Sequence, residues 1–302
     1  MSSGPVLRAV GLRKVYGDFV AVDGVDLDVG RGEVVGLLGP NGAGKTTTIS
    51  MMVGLIPPTS GDVLVEGRSV RRDPIWVRSR VGLVPDNPGF YDGMTAWENL
   101  WITARLNGVR DESRVQEAIA RVGLSGWEDV AVGKFSKGMK QRLGIADALL
   151  KSPSVLLLDE PTAGLDPSGS EEVLRLIRSL ADEEGIAVLM SSHLLHQVEW
   201  ICDRVAIMDR GRLIAQGTLD QLAGRKFYVE LEVDGDVNAA VRALLPLGKV
   251  KVDGKRITVE ASEDARRRAV EAVLRAGAVP VEVHVRRAGL AEAYRSLLGA
   301  GS

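Results

Sequence analysis

The eight residues GPNGAGKT, Gly39 to Thr46, decide the fold. They satisfy the G-x-x-x-x-G-K-[ST] pattern of a phosphate-binding loop. The run before it, VVGLLG, is apolar and of strand length, and Lys45 to Gly54 reads as helix. Strand, glycine-rich loop and helix in that order are the context such a loop requires. Gly39, Gly42 and Gly44 let the backbone N–H groups of the loop, Asn41 and Ala43 included, curl around phosphate oxygens at the positive end of a helix. Lys45 supplies a point charge for the β- and γ-phosphates. The Thr46 hydroxyl is placed to coordinate Mg²⁺, and Thr47 lies close by.

Downstream, VLLLDE, Val155 to Glu160, reads as a buried strand that ends in two acids. Asp159 can hold Mg²⁺ through water, and Glu160 can orient and polarise an attacking water. IAVLMSSH is a second continuous apolar run, and GSEEVLRLIRSLADEEG between the two reads as helix. Runs apolar throughout suit parallel strands covered on both faces, so this is a strand–helix–strand unit. Before the loop, VLRAVGLRKVYG and FVAVDGVDLDVG alternate as a β-rich opening, and GDVLVEGRSV continues it. From Thr95 the pattern turns helical: Thr95 and Glu98 have capping-box spacing, and Val115, Ile119 and Val122 recur at helical spacing. RVAIMDRGRLIAQG reads as a hairpin with its turn at DRG. In KFSKGMKQRLGIADALL, Lys134 to Leu150, Ser136 stands as the N-cap of another helix, whose free N–H groups suit an anion.

A second unit begins near Arg225. KFYVELEV alternates, DVNAAVRALLPLG is helical, and KVKVDGKRITVEA is a hairpin with Asp253-Gly254 at its turn. A helix, the strand AVPVEVHV and a last helix follow. The order β-α-β-β-α-β-α matches a ferredoxin-like split βαβ unit with an added helix.

The chain has 302 residues, room for two domains, and a net charge of −2 with both signs abundant, so no nucleic-acid partner is expected. The single cysteine, Cys202, excludes an internal disulfide and fits a reducing compartment. Neither a signal peptide nor an apolar run of membrane-spanning length is read, so a cytoplasmic chain is expected, with any membrane role supplied by a partner. His196, Cys202 and the basic run Arg266 to Arg268 read as packing or solvated residues. Of the five tryptophans, Trp97 and Trp101, at i and i+4, are the best candidates for a partner surface.

Loop and strand establish an NTP-hydrolysing fold; further motifs narrow the class. FSKGM resembles the signature of ABC-type ATPases, usually written LSGGQ. AGLDP, Ala163 to Pro167, resembles their D-loop, and His193 their switch histidine. Tyr16 matches the aromatic that stacks on adenine, and Val81 to Leu100 resembles the Q-loop segment with the helix after it. The resemblance covers about Val6 to Leu222 and is nearest to the ATPase subunits of bacterial ABC-2-type exporters. Two departures stand out. The usual Q-loop glutamine falls on Asp86, a shorter, acidic residue without a donor. In the signature, Lys137 replaces the first glycine and Met139 the last glutamine, while Ser136 and Gly138 remain.

The resemblance implies an α/β P-loop NTPase of ABC type at 1–224: a parallel-sheet core, an antiparallel β subdomain and a helical subdomain at about 90–150. A small C-terminal α+β domain follows at 225–302. It implies an ATPase that uses ATP and Mg²⁺, with Lys45, Glu160 and His193 catalytic and Thr46, Asp159 and Asp86 at the metal. It also implies a head-to-tail dimer with a second ATPase subunit, the same chain or a paralogue. There Ser136 and Gly138 of one chain face the γ-phosphate held by the other, and Asp166 lies across the interface. The expected function is the ATPase subunit of an exporter, at the inner face of the membrane through a separate permease. An importer ATPase with a regulatory C-terminal domain and a soluble ABC ATPase on ribosome or DNA are the alternatives.

Overall fold

Alternation at the start of the chain produces antiparallel strands. β1 (Leu7–Tyr16) turns at Gly17 into β2 (Phe19–Val29), and the two pair antiparallel from Leu7↔Val29 to Tyr16↔Phe19. After β3 (Val34–Leu38) and α1 (Lys45–Met52), β4 (Ser60–Val65) pairs with β1 and the short β5 (Arg68–Ser69) with β4. The sheet order is β2-β1-β4-β5. In this computed structural model the described residues are 4–223, 227–262, 265–287 and 289–299.

The apolar runs form a second sheet. α2 (Pro74–Arg80) leads into β6 (Val81–Val84), and β7 (Val155–Leu158), α6 (Pro167–Glu184) and β8 (Ala187–Ser192) follow later. α7 (Leu195–Ile201) precedes β9 (Arg204–Asp209), which turns through Arg210-Gly211 into β10 (Arg212–Thr218). The order is β10-β9-β3-β8-β7-β6, and β9, β3, β8, β7 and β6 are mutually parallel. Every side chain of β3, β7 and β8 is buried. At about 1.5–3 kcal/mol per buried Val or Leu, this strip holds the strand ends rigidly. Between β6 and β7 lie α3 (Ala96–Leu106), α4 (Ser113–Arg121) and α5 (Lys137–Leu149). The capping box forms: Glu98 N–H donates to Thr95 Oγ1 at 3.1 Å and Thr95 N–H to Glu98 Oε2 at 2.8 Å. The Trp97 and Trp101 rings stack with centroids 5.5 Å apart.

The chain divides into two compact units, Met1–Gln216 and Gly217–Ser302; the boundary expected at 224/225 lies outside the described residues. Within the second unit, α8 (Leu219–Ala223) precedes β11 (Phe227–Asp234), α9 (Val237–Leu244), β12 (Lys249–Asp253) and β13 (Arg256–Ala261). α10 (Ala265–Arg275), β14 (Val279–Arg287) and α11 (Leu290–Gly299) complete it. The antiparallel order is β12-β13-β11-β14. Val229, Leu231 and Val233 of β11 pack with Ala240, Leu244, Ala269 and Val273 in a core of its own.

Candidate functional site

Parallel strands end on one edge, where open α/β sheets bind ligands. There β3 delivers Gly39 to Lys45, β6 Asp86, β7 Asp159 and Glu160, and β8 Ser191 to His193. An open cleft of about 390 Å³ is lined by Asn41 through Thr47, Asp86 and Glu160, with Phe19 and Ala21 from β2. Two glycines are fixed by space. A Cβ on Gly39 would lie 2.5 Å from Met208 O, and one on Gly44, at φ +101°, would lie 2.6 Å from Ala21 O. The loop therefore lies too close to neighbouring backbone to tolerate side chains there.

Lys45, only 6% exposed, donates from Nζ to Gly39 O at 2.7 Å and Pro40 O at 3.3 Å. Its Nζ also stands 3.3 Å from Glu160 Oε1. On the other side of that carboxylate, His193 Nδ1 donates to Glu160 Oε2 at 2.7 Å, because a carboxylate only accepts. Lys45, Glu160 and His193 are thus connected in sequence, and of the three Lys45 and Glu160 line the cleft. Glu160 adopts φ +49°, a left-handed conformation that costs about 1–3 kcal/mol for a residue with a side chain. Its backbone is tied down: Glu160 N–H donates to Ser191 Oγ at 2.8 Å, and Ala163 N–H to Glu160 O at 3.0 Å. The buried Ser191 hydroxyl donates in turn to Asp159 Oδ1 at 2.6 Å, and Asp159 N–H donates to Val84 O at 2.9 Å. Ser191 is a member of this site that the sequence did not single out. Its signal was only its place, two residues before His193 at the end of a buried strand.

Thr46, Asp86 and Asp159 offer oxygen donors only, which suits a hard ion such as Mg²⁺. Among the described residues no group of three or more His, Cys, Asp or Glu could hold a metal. Three oxygens of this kind would leave room for phosphate oxygens and water to complete the coordination of such an ion.

Other expected residues stand elsewhere. Tyr16 is not among the cleft residues; it is 48% exposed, with Lys14 Nζ 4.9 Å above its ring. Phe19, its partner across the β1–β2 turn and 65% exposed, does line the cleft. Ser136, Gly138 and Asp166 do not line it. Ser136 caps α5, its Oγ accepting from Met139 N–H at 3.2 Å, and Asp166 caps α6, accepting from Gly169 N–H at 3.3 Å. These two helix starts are neighbours, for a Cβ on Gly138 would lie 3.9 Å from Gly169 Cα. Further along α5, Gln141 Nε2 donates to Pro85 O at 3.5 Å, and a Cβ on Gly144 would lie 2.7 Å from Pro88. The helix that carries Ser136 thereby grips both sides of Asp86. Cys202 is buried, and burial pushes its thiol up to about 12.

Comparison with known proteins agrees with this fold. The family model described as ABC transporter matches residues 22–163. The bacitracin transport ATP-binding protein BcrA of Bacillus licheniformis is 44% identical over 237 residues, 78% of this chain and 77% of its own. The daunorubicin resistance ATP-binding protein DrrA3 of Streptomyces coeruleorubidus is 39% identical over 300 residues, 96% of this chain and 94% of its own. Among solved structures, an ATP-binding subunit of an ABC transporter shares 32% identity at a TM-score of 0.64, covering 72% of this chain and 91% of that one. The cbiO1 protein of Clostridium perfringens, part of the ABC transporter complex cbiONQ, shares 32% identity at a TM-score of 0.65 over 71% of this chain and 89% of its own.

Proposed function

The chain belongs to the ABC transporter family of ATP-binding proteins, and we propose that it hydrolyses ATP in the cleft between the Gly39–Thr46 loop and Glu160. It is the ATPase subunit of an exporter-type transporter; relatives named for bacitracin transport and daunorubicin resistance favour that reading over an importer or a soluble ATPase. The observation that carries the assignment is the connection of Lys45, Glu160 and His193.

Lys45 is held among carbonyl oxygens and one carboxylate. The β- and γ-phosphates of ATP would offer it stronger, charge-assisted partners. Lys45 would move to them, and Glu160 Oε1 would be released to accept a proton from a water aligned with the γ-phosphorus. His193, bonded to the other oxygen, fixes which way the carboxylate faces. Thr46, Asp86 and Asp159 would hold Mg²⁺, which neutralises charge on the phosphates. Phe19 offers an exposed ring at the cleft edge for the base of the nucleotide, and Tyr16 is the alternative across the same turn.

Ser136 and Gly138 lie outside the cleft of their own chain. They belong to a second site half, turned to nucleotide held by another copy or a paralogue, with Asp166 across the same interface. ATP would bridge the two chains where ADP would not, so closure is favoured by the difference between those contacts. No helix among the described residues is long and apolar enough to cross a membrane. Export then requires a separate permease, and the chain works at the inner face of the membrane through it. The Trp97–Trp101 stack on α3, with Leu106 82% exposed on the same helix, offers a surface for that partner. For the C-terminal unit the roles that fit are dimer stabilisation, permease docking and regulation.

The test is Glu160→Gln. Gln keeps the size of the side chain and removes its basicity. The variant should bind ATP, persist as a dimer on a sizing column and release little phosphate. Phosphate release at the wild-type rate would refute the role of Glu160.

A further inference from the structure

We propose that Gln197 is a positioning residue: through its buried hydrogen bond to Thr162 it holds His193 against Glu160. The inference rests on the ATPase reading of the cleft and adds to it a residue that lies outside the cleft.

The contact between His193 and Glu160 needs support from elsewhere. The His193 side chain is 46% exposed, where water weakens a pairing with a carboxylate. Its backbone has just left β8 and enters α7, a helix of seven residues whose N-cap, Leu194, makes no side-chain cap hydrogen bond. So short a helix without a polar cap is a weak anchor. Glu160, for its part, is held at φ +49° and would relax if its neighbours allowed it.

The anchor lies one turn into α7. Thr162 Oγ1 donates to Gln197 Oε1 at 2.5 Å, and the two residues are 5% and 3% exposed. Breaking this bond would leave a buried polar group without its partner, so the pair holds more firmly than an exposed one. Both ends of the bond sit in tight segments. Thr162 lies inside the turn closed by Ala163 N–H to Glu160 O at 3.0 Å, and its own O accepts from Leu165 N–H at 3.2 Å. Gln197 N–H donates to Leu194 O at 3.2 Å, and Leu194 N–H donates to Ser192 Oγ at 3.0 Å, across His193. A closed ring results. It runs from Glu160 to Thr162, over the buried bond to Gln197, back along α7 to His193, and over the 2.7 Å contact from Nδ1 to Glu160 Oε2. Ser191 joins the same two segments where they leave the sheet, through Glu160 N–H at 2.8 Å. His193 is therefore bracketed: Ser191 ties its segment to Glu160 on one side, and Gln197 ties it to Thr162 on the other. Neither Thr162 nor Gln197 lines the cleft, so their bond reaches catalysis only through the residues it holds.

Four variants test it: Thr162→Val, Gln197→Met, the two combined, and Thr162→Ser. Each is measured for kcat and KM with ATP, for its thermal midpoint, and for the ring signals of His193 in NMR spectra without nucleotide. Thr162→Val and Gln197→Met nearly keep side-chain size and remove the bond. Each should lower the midpoint, lower kcat about fivefold to twentyfold and leave KM within about twofold. The double variant replaces a buried polar pair by an apolar one, so its midpoint should recover. Its kcat should stay low, because an apolar contact is non-directional. Thr162→Ser keeps the hydroxyl and should hold kcat near wild type. The His193 signals should move in both single variants and in the double one, with those of His284 as the unmoved reference. Recovery of kcat together with the midpoint in the double variant would overturn the positioning role, and that variant decides the matter where a single one does not fold. So would wild-type kcat in a folded single variant, or a rise in KM in place of the fall in kcat. The spectra are independent of turnover. A wild-type protein without ATPase activity would overturn the reading of the cleft, whereas unmoved His193 signals would overturn the role of Gln197.

Discussion

Removing the Ser191 hydroxyl should separate catalysis from binding. This oxygen serves two groups: it donates to Asp159 Oδ1 at 2.6 Å and accepts from Glu160 N–H at 2.8 Å, and Ser191 is fully buried. A hydrogen bond to a charged group contributes about 1.5–3 kcal/mol, and a buried donor left unmade costs about 1–3 kcal/mol. Because both are made by one atom, the losses overlap, and Ser191→Ala should destabilise the first unit by about 2–4 kcal/mol. The kinetic effect follows from Glu160. Its backbone is held at φ +49° against about 1–3 kcal/mol of strain, and Ser191 is one of its two backbone tethers. If the freed peptide relaxes, the carboxylate leaves its place between Lys45 and His193. A loss of about 1.4–2.7 kcal/mol in the transition state lowers kcat tenfold to a hundredfold. Ser191 itself bonds to none of Lys45, Thr46 and Thr47, so affinity for ATP should stay within about threefold. Steady-state phosphate release with Mg²⁺ and ATP, together with titration of a fluorescent ATP analogue, reads the two effects separately. Wild-type kcat in a folded Ser191→Ala protein would refute the tether. Loss of nucleotide affinity with kcat intact would show that Ser191 serves the binding loop instead.

Two further outcomes are expected. A Cβ on Gly138 meets only Gly169 Cα and Ser136 Oγ, both at 3.9 Å, so Gly138→Ala should leave the thermal midpoint of the isolated chain unchanged. It should nevertheless cut ATPase activity about tenfold or more, because the methyl would face the nucleotide of a second chain, about 1.4 kcal/mol per factor of ten; wild-type turnover would remove Gly138 from that interface. The Cys202 thiol, pushed up to about 12 chiefly by burial, is protonated in the folded protein at pH 8, with a thiolate fraction on the order of 10⁻⁴. Reaction with a disulfide reagent should therefore wait on unfolding and accelerate as pH rises toward 12, whereas stoichiometric labelling of native protein within minutes at pH 8 would contradict the burial.

What the sequence revealed was what each segment could state locally. Gly39 to Thr46, Asp159-Glu160 and Ser136 announce themselves because a phosphate loop, an acid pair at a strand end and an N-cap each need particular residues at adjacent positions. The helix at Lys45 was legible, but it ends at Met52, short of Gly54, whose left-handed φ of +74° cannot continue it. β6 and α2 were not singled out as elements: VGLV is four residues long and becomes a strand only by pairing with β7, from Val81↔Val155 to Val84↔Leu158. Ser191 and Phe19 were missed for the same reason. A serine at a strand end and an aromatic after a turn are common, and only the folded sheet brings them to Asp159 and the loop. The most consequential hidden feature is α5. Its first turn carries Ser136 and Lys137, and its second and third carry Gln141 and Gly144 against Pro85 and Pro88, on either side of Asp86. A rigid helix with the Ser136 cap at one end and the Asp86 loop along its side cannot move at one place alone. On the proposed function, closure on a second chain's phosphate would therefore be felt at Asp86 in its own cleft, and the two half-sites of each chain would be mechanically one.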